Sequence, residues 1–410
     1  MRARAIHAAA VVLPLLVGAV GCQAAGGSDP EQTRPGASST PKPVSAEPID
    51  RQLFAATTAT AAGGSSRFTS TIMYGSAKST AVDRVTGVQD YAKTTARVRR
   101  VLDIPRSFPE DAAAFLGRRP GAPSEPEIYA VSGNDISYRT RAGSWLRYSA
   151  SSSKDFADLV EDLLEHTGDA APWGRTLAEV VKRSEATRQP VTTGDGDRRY
   201  ELTVSPATAA SGLPATLDDA IHSETAGQVP LTVVLDEHGR LVRVEADYTS
   251  LLKGLQKDGV LKGVTSLRAE YTLTGHGATP VPPLPEGEKN EDAETALVEV
   301  GAMEPGGCAS TDTGLDRMVL VRSAPCDAAA DLLVFGQVDI DETVDGDPDG
   351  VADRLAERGC DRKFDAAPAS WTSRSRPSGT YYRVGSETLS VGSETTLTGR
   401  YTCYIRTSTR

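Results

Sequence analysis

Histidine is scarce in this chain of 410 residues: there are five, and none follows position 276. With His7 set aside in the leader described below, only His166, His222, His238 and His276 remain. The GxSxG elbow, the HExxH helix and the phosphate-cradling P-loop are all missing, which removes the signatures of serine hydrolases, zinc proteases and nucleotide hydrolases. Carboxylates are plentiful, but no pattern pairs two of them as acid and base. Positive charge is in deficit, with 44 Lys and Arg against 55 Asp and Glu and a formal charge of −11. That sign argues against a nucleic-acid partner, whose phosphates need a basic face, and against adhesion of the whole chain to anionic lipid. A membrane-length apolar run is lacking too. Ala8 to Val20 is uncharged but only thirteen residues long, short of the about 20 that a span needs. The reading is a non-enzymatic binding protein with no cofactor.

What the N-terminus does have is order. Arg2 and Arg4 precede the apolar run, and Ala19-Val20-Gly21-Cys22 closes it. A basic start, a short apolar stretch and small residues before a cleavage point are the marks of a secretory signal peptide over residues 1–21. The cysteine after the small residues makes the segment resemble a bacterial lipobox, with Ala19 where leucine is usual. The resemblance implies cleavage before Cys22, a diacylglyceryl thioether on it, and display on the outer face of the cell membrane. Two acyl chains hold a protein at a membrane stably where one does not. Residues 22–46, rich in Gly, Ser, Pro, Thr and Ala, read as a flexible tether.

Residues 47–277 read as one α+β domain. Ile49, Leu53, Ala56 and Thr60 share a helical stripe that Gly63-Gly64 ends. Phe68, Ser70, Ile72 and Tyr74 then alternate with Arg67, Thr69, Thr71 and Met73 at the period of a strand. Further strands are predicted over 80–91, 94–102, 127–132, 136–140 and 145–149. A helix follows in which Phe156, Leu159, Val160, Leu163 and Leu164 share a face, and another around Leu177, Val180 and Val181. Leu231–Leu235 and Leu241–Tyr248 flank Asp236-Glu237-His238-Gly239-Arg240, a hairpin signal, and Leu267–Leu273 is a last half-buried strand.

This order, with "SSRFTSTI" early and "VPLTVVLDEHGRLVRVEADY" late, resembles the exported LppX-like lipid-carrier lipoproteins of high-G+C Gram-positive bacteria. These share an architecture with the LolA/LolB carriers. The resemblance implies a curved antiparallel half-barrel with covering helices and an apolar cavity. Trp145, Leu146, Phe156, Leu159, Leu163, Trp173 and Leu177 are the candidate lining for a lipid or other apolar ligand, as opposed to plain core. Residues 278–295, with Pro280, Pro282, Pro283 and Pro285 before a run of acids, read as a linker.

Residues 296–410 hold Cys308, Cys326, Cys360 and Cys403. An even number in an exported segment reads as two disulfides, of which three connectivities are open. Zinc is disfavoured by the wide spacing and by the absence of a following histidine. The segment is similar to the septum-formation domain of exported actinobacterial proteins. That likeness rests on Gly307-Cys308, "MVLVRSAPCDAAADLLVFGQVDI", a helix over Asp349–Arg358 ending at Gly359-Cys360, and "YYRVGSETLSVG" before "YTCYI". Ala330 stands where that family usually has histidine, and Leu389 where it has an aromatic. The resemblance implies the pairs Cys308–Cys326 and Cys360–Cys403, and a small disulfide-bonded α+β fold that contacts an envelope protein. Asp345, Asp347, Asp349 and Asp353 lie at calcium-loop spacing around Gly350. However, Ala356 replaces the bidentate glutamate, so a solvated loop capping the next helix is favoured. The alternative to a carrier is a ligand-free scaffold lipoprotein that meets envelope or division-associated proteins.

Overall fold

The computed structural model describes residues 43–149, 176–194, 196–218, 220–221, 227–283, 289–315, 320–326, 330–344, 350–375, 379–391 and 395–407. Helix Gln52–Ala62 opens the fold, burying Leu53, Ala56, Thr57 and Thr60. Gly64, at φ +80°, takes the left-handed turn into the first strand, a conformation that glycine adopts without a Cβ penalty. Thr60 donates its hydroxyl to Ala56 O (2.7 Å) and accepts Leu241 N–H (2.8 Å), which docks the helix on a strand far along the chain.

The first set of strands is β1 (Ser65–Ser76), β2 (Thr80–Asp90), β3 (Thr95–Asp103), β4 (Glu127–Ser132), β5 (Asp135–Arg139), β6 (Trp145–Ser149), β7 (Val191–Thr192), β8 (Arg198–Val204), β9 (Val229–Leu235), β10 (Leu241–Asp247), β11 (Val264–Thr274) and β12 (Asn290–Asp292). Among the described residues they form one twelve-stranded sheet, ordered β12-β6-β5-β4-β3-β2-β1-β11-β10-β9-β8-β7. Every pairing is antiparallel except β12 on β6. Its two end strands do not pair with each other, so the sheet is open and not a closed barrel. Alternation sets its faces. Phe68, Ile72, Tyr74, Val98, Tyr129, Tyr271 and Val244 are buried on the inner face, while Arg67, Thr69, Arg99 and Arg243 lie on the outer.

The second sheet is built from β13 (Val298–Glu299), β14 (Cys308–Ser310), β15 (Leu320–Ser323), β16 (Leu332–Val344), β17 (Tyr382–Val391) and β18 (Thr395–Arg406), ordered β13-β15-β14-β16-β18-β17. Helix Val351–Ala366 packs across it, burying Ala352, Ala356, Gly359 and Cys360. The fold is thus α+β, with large antiparallel sheets and few helices.

Two sequence expectations are corrected here. The last long helix does not stop at Gly359-Cys360 but runs to Ala366. Gly359 is there for close approach: a Cβ would lie 2.5 Å from a methyl of Val338, whose β-branched side chain has little freedom to yield. Asn290–Asp292, inside the stretch read as a linker, is a strand hydrogen-bonded to β6. Asp292 then caps helix Ala293–Ala296 through Glu294 N (3.0 Å). Residues from Lys42 onward form one compact unit.

The two sheets meet through polar contacts, buried at Tyr148 and more open at Arg141 and Arg322. Tyr138 OH donates to Asp312 Oδ1 (2.7 Å), Arg141 N donates to Asp312 Oδ2 (2.6 Å), and Tyr148 OH donates to Thr313 O (2.5 Å). Arg322 on β15 binds Glu291 on β12 with both Nη2 contacts within 2.9 Å. Ala293, Leu297 and Leu320 complete the large core at this seam.

Candidate functional site

The inner face of the large sheet is the obvious apolar surface, and one cross-strand row on it differs from its neighbours. Tyr271 on β11 pairs with Ser70 on β1, Ser70 with Val85 on β2, Val85 with Arg100 on β3, and Arg100 with Glu127 on β4. Tyr271 is fully buried, but Ser70, Val85, Arg100 and Glu127 are only half-buried although they face inward. The flanking inner residues Phe68, Val98, Tyr129, Ile72 and Leu102 are buried. The row is therefore a partly accessible stripe across an otherwise buried apolar face.

One end of the stripe is charged but balanced. The Arg100 guanidinium straddles Asp83, with Nε to Oδ1 at 3.1 Å and Nη2 to Oδ2 at 2.8 Å, and reaches Glu127 at 3.5 Å. Arg118 Nη2 (3.3 Å) and Tyr129 OH (3.3 Å) also donate to Glu127. Two cations and two anions at one place satisfy the rule that buried charge must be paired. Burial, then the Asp83 carboxylate, pushes the neighbouring Tyr74 phenol far above its ordinary range, so it stays a neutral donor.

The other end is an uncharged hydrogen-bond cluster. Gln89 Nε2 lies within hydrogen-bond distance of Tyr91 OH (2.7 Å), Tyr271 OH (3.0 Å) and Ser66 Oγ (3.3 Å), three acceptors for its two hydrogens. Burial raises Tyr91 to about 12 against opposing hydrogen bonds from Ser66 and Tyr271. The stripe thus exposes one aliphatic side chain, Val85, between polar groups at both ends and beside the buried apolar residues that flank it. Neither described histidine is placed for nucleophilic chemistry. His276 Nε2 sits 3.1 Å from Leu241 O, and His238 lies exposed in a turn beside Glu237 and Arg240.

Of the candidate lining residues, Phe156, Leu159, Leu163 and Trp173 lie outside the described residues, as does Cys22. Trp145, Leu146 and Leu177 are all buried. Leu146 faces inward opposite Tyr138. Trp145, its chain neighbour, takes the opposite face by strand alternation, so these two do not share one cavity wall. Leu177 opens helix Leu177–Lys182, capped by Thr176 through Ala178 N (3.3 Å), and packs with helix Gln52–Ala62 over β10 and β11. Six strand steps along the sheet separate it from Leu146.

Sequence reasoning missed Asp83, Arg100 and Glu127. A signal was present: in "TARVRRVLD" the inward series Ala96, Val98, Leu102 is interrupted by Arg100, and Asp83 interrupts β2 in the same way.

In the second sheet Cys308 is bonded to Cys326 (Cα–Cα 5.1 Å) and Cys360 to Cys403 (5.7 Å), the pairs that the septum-formation resemblance implies. Ala330 is buried in the cluster of Cys308, Cys360 and Cys403. Asp345, Asp347 and Asp349 lie outside the described residues. Asp353 is on the helix and pairs with Arg383 at 3.4 Å. Among the described residues no three His, Cys, Asp or Glu side chains converge as metal ligands. No described helix is long and apolar enough to cross a membrane.

No family model matches the chain, and no curated protein does. Among solved structures, the Mycobacterium tuberculosis lipoprotein LppX is similar at 15% identity over 57% of this chain and 98% of its own, with a TM-score of 0.27. The Pseudomonas aeruginosa MucA/MucB complex is similar at 10% identity over 85% of this chain and 92% of that one, with a TM-score of 0.22. A DUF1329 family protein from Desulfovibrio piger is similar at 8% identity over 56% and 92%, with a TM-score of 0.17. At such TM-scores none of the three carries weight in the functional reading.

Proposed function

We propose that this chain is an exported lipoprotein, held at the outer face of the cell membrane through diacylglyceryl Cys22, that carries a lipid or similar apolar molecule against the inner face of its large sheet. In this reading the sheet is a curved half-barrel and the ligand lies along the Ser70–Val85–Arg100 row. The observation that supports it is the half-buried stripe itself. A one-sided antiparallel sheet normally covers its apolar face completely. Here helices Gln52–Ala62 and Leu177–Lys182 lie over β10 and β11 and helix Ala293–Ala296 lies on β6, to either side of that row, while the short helix Glu110–Phe115 buries Ala112 and Ala113 in the same core. An acyl chain placed there gains about 0.8 kcal/mol for each methylene taken from water, and the Arg100–Glu127 end can receive the polar part. The second sheet is read as a contact surface for an envelope protein, without a catalytic role.

The test is native mass spectrometry of protein purified from its own membrane, read beside the intact mass of the mature N-terminus. The expected result is a co-purifying lipid that Val85→Glu abolishes, and a mature chain that begins at acylated Cys22. Ligand-free protein from every preparation would leave the scaffold alternative, and an unmodified Cys22 would remove the anchor.

A further inference from the structure

The outer face of the same sheet carries a second feature that net charge conceals. An open groove of about 590 Å³ crosses β11, β1, β2, β3 and β4. Its walls are two neighbouring outward rows. Arg67, Val88 and Arg97 are aligned in one, and Thr69, Thr86, Arg99 and Ile128 in the next, with Thr274 and Thr272 extending them onto β11. Its floor is the main chain of the intervening row, Phe68, Gly87, Val98 and Tyr129, whose side chains point to the other face. Arg67 and Arg97 are two strand spacings apart, about 10 Å, and Arg99 sits two residues along β3 from Arg97. Thr69 and Arg99 flank Thr86 in its row, and the Thr86 hydroxyl lies 3.5 Å from Arg99 O.

None of these arginines has a carboxylate partner among the described residues, and no carboxylate lines the groove. On the β8, β10 and β11 part of the outer face, arginines are paired. Arg243 binds Glu245 (2.5 Å) and Glu270 (2.9 Å), Arg268 binds Asp247 (3.5 Å), and Arg199 binds Glu201 (3.0 Å). In a chain with eleven more acids than bases, three arginines line one depression that has no carboxylate in its walls. Arg97 is also half-buried and donates Nη1 to Ala96 O (3.0 Å), which restrains its head beside the groove. Arginine forks and threonine hydroxyls are the donors that suit phosphate oxygens, and the volume is that of a small-ligand site.

We propose that this groove binds a phosphate ester, with Arg67, Arg97 and Arg99 as its counter-charges and Thr69 and Thr86 as hydroxyl donors. It lies on the face opposite the apolar stripe, so its failure would leave the carrier reading intact, and the reverse also holds.

The test uses the full chain with Cys22→Ser, so that no acyl group contributes to binding. The two probes are glycerol 3-phosphate, followed by calorimetry, and phosphatidylcholine vesicles with and without phosphatidylglycerol, followed by flotation. Retention of glycerol 3-phosphate assigns a free phosphate ester, and flotation only with phosphatidylglycerol assigns a lipid headgroup. Either result supports the site provided that binding weakens with salt and drops by roughly tenfold or more in the triple variant R67Q/R97Q/R99Q. Thr86→Glu, which keeps the arginines and supplies a competing anion, should give the same loss, whereas Arg243→Gln in the compensated half should change nothing. Wild-type protein that binds neither probe, or binding that survives both groove variants, overturns the proposal.

Discussion

Asp312 shows how much a single side chain does at the seam between the sheets. It accepts from Tyr138 OH and from Arg141 N, and it lies 3.9 Å from Arg141 Nε. Burial first, and then Asp312 itself, holds the Tyr138 phenol far above its ordinary range, so the tyrosine donates at every accessible pH. Asp312→Ala strands a buried hydroxyl and a backbone N–H, which costs about 1–3 kcal/mol. Tyr138→Phe should cost less, because Asp312 keeps Arg141. Urea unfolding of the two variants checks the order, and equal losses would contradict it. Gly314 adds a steric constraint at the same place. Its φ is +79°, and a Cβ would sit 2.5 Å from the Tyr138 ring. Position 138 is 174 residues from position 312, so neither contact was readable from local pattern.

At the scale of elements, two disulfides reinforce a divided core in the second sheet. Its buried apolar residues fall into three small clusters, whereas one large cluster serves the first sheet. Cys360–Cys403 fastens helix Val351–Ala366 to β18 across 43 residues, and Cys308–Cys326 closes a span of 18. Loop-closure entropy assigns these about 4 and about 3 kcal/mol. Cys360 and Cys403 are fully buried, while Cys326 is exposed. Graded reduction should therefore open Cys308–Cys326 first, as read by alkylation and peptide mapping. Simultaneous reduction of both bonds, or the reverse order, would contradict this packing. The cysteines were visible in the sequence as disulfide partners, but the reach of the helix past Gly359 was not. Glycine near a helix end reads as a stop signal, and only the presence of Val338 shows that it serves close packing.

The whole molecule should lose stability in acid, in two steps. Burial, reinforced by the positive charge of Arg240, lowers His276 below its ordinary 6.5, although its bond to Leu241 opposes this. A histidine depressed on folding contributes stability above its unfolded pKa, and that contribution is lost as pH falls through the lower folded value. Glu291 is held below 4.5, chiefly by the Lys289 hydrogen bond, with burial opposing and Arg322 assisting. For Asp236, burial raises the pKa, but hydrogen bonds from Arg240 and His238 outweigh it and hold the carboxyl below 3.8. Both carboxylates stabilise above their unfolded values and cease to as pH falls further. Tm should decline first below about 6.5 and again below about 4.5. His276→Gln should flatten the first decline and Glu291→Gln the second. A Tm that is level or rising between pH 7 and pH 4 would refute the assignment.

Composition and order alone determined the α+β class, the in-and-out alternation of "SSRFTSTI" and the hairpin around Gly239. They also determined the pool of four C-terminal cysteines, because alternation, turn chemistry and residue counts are local properties. They expressed the balance of charge only as a sum. That sum hid both the paired Asp83–Arg100–Glu127 cluster on one face and the unpaired Arg67, Arg97 and Arg99 on the other. Strand pairing decided these, along with the separation of Trp145 from Leu146 and the seam at Asp312, since register alone brings residues distant in the chain into one row and sends neighbours to opposite faces.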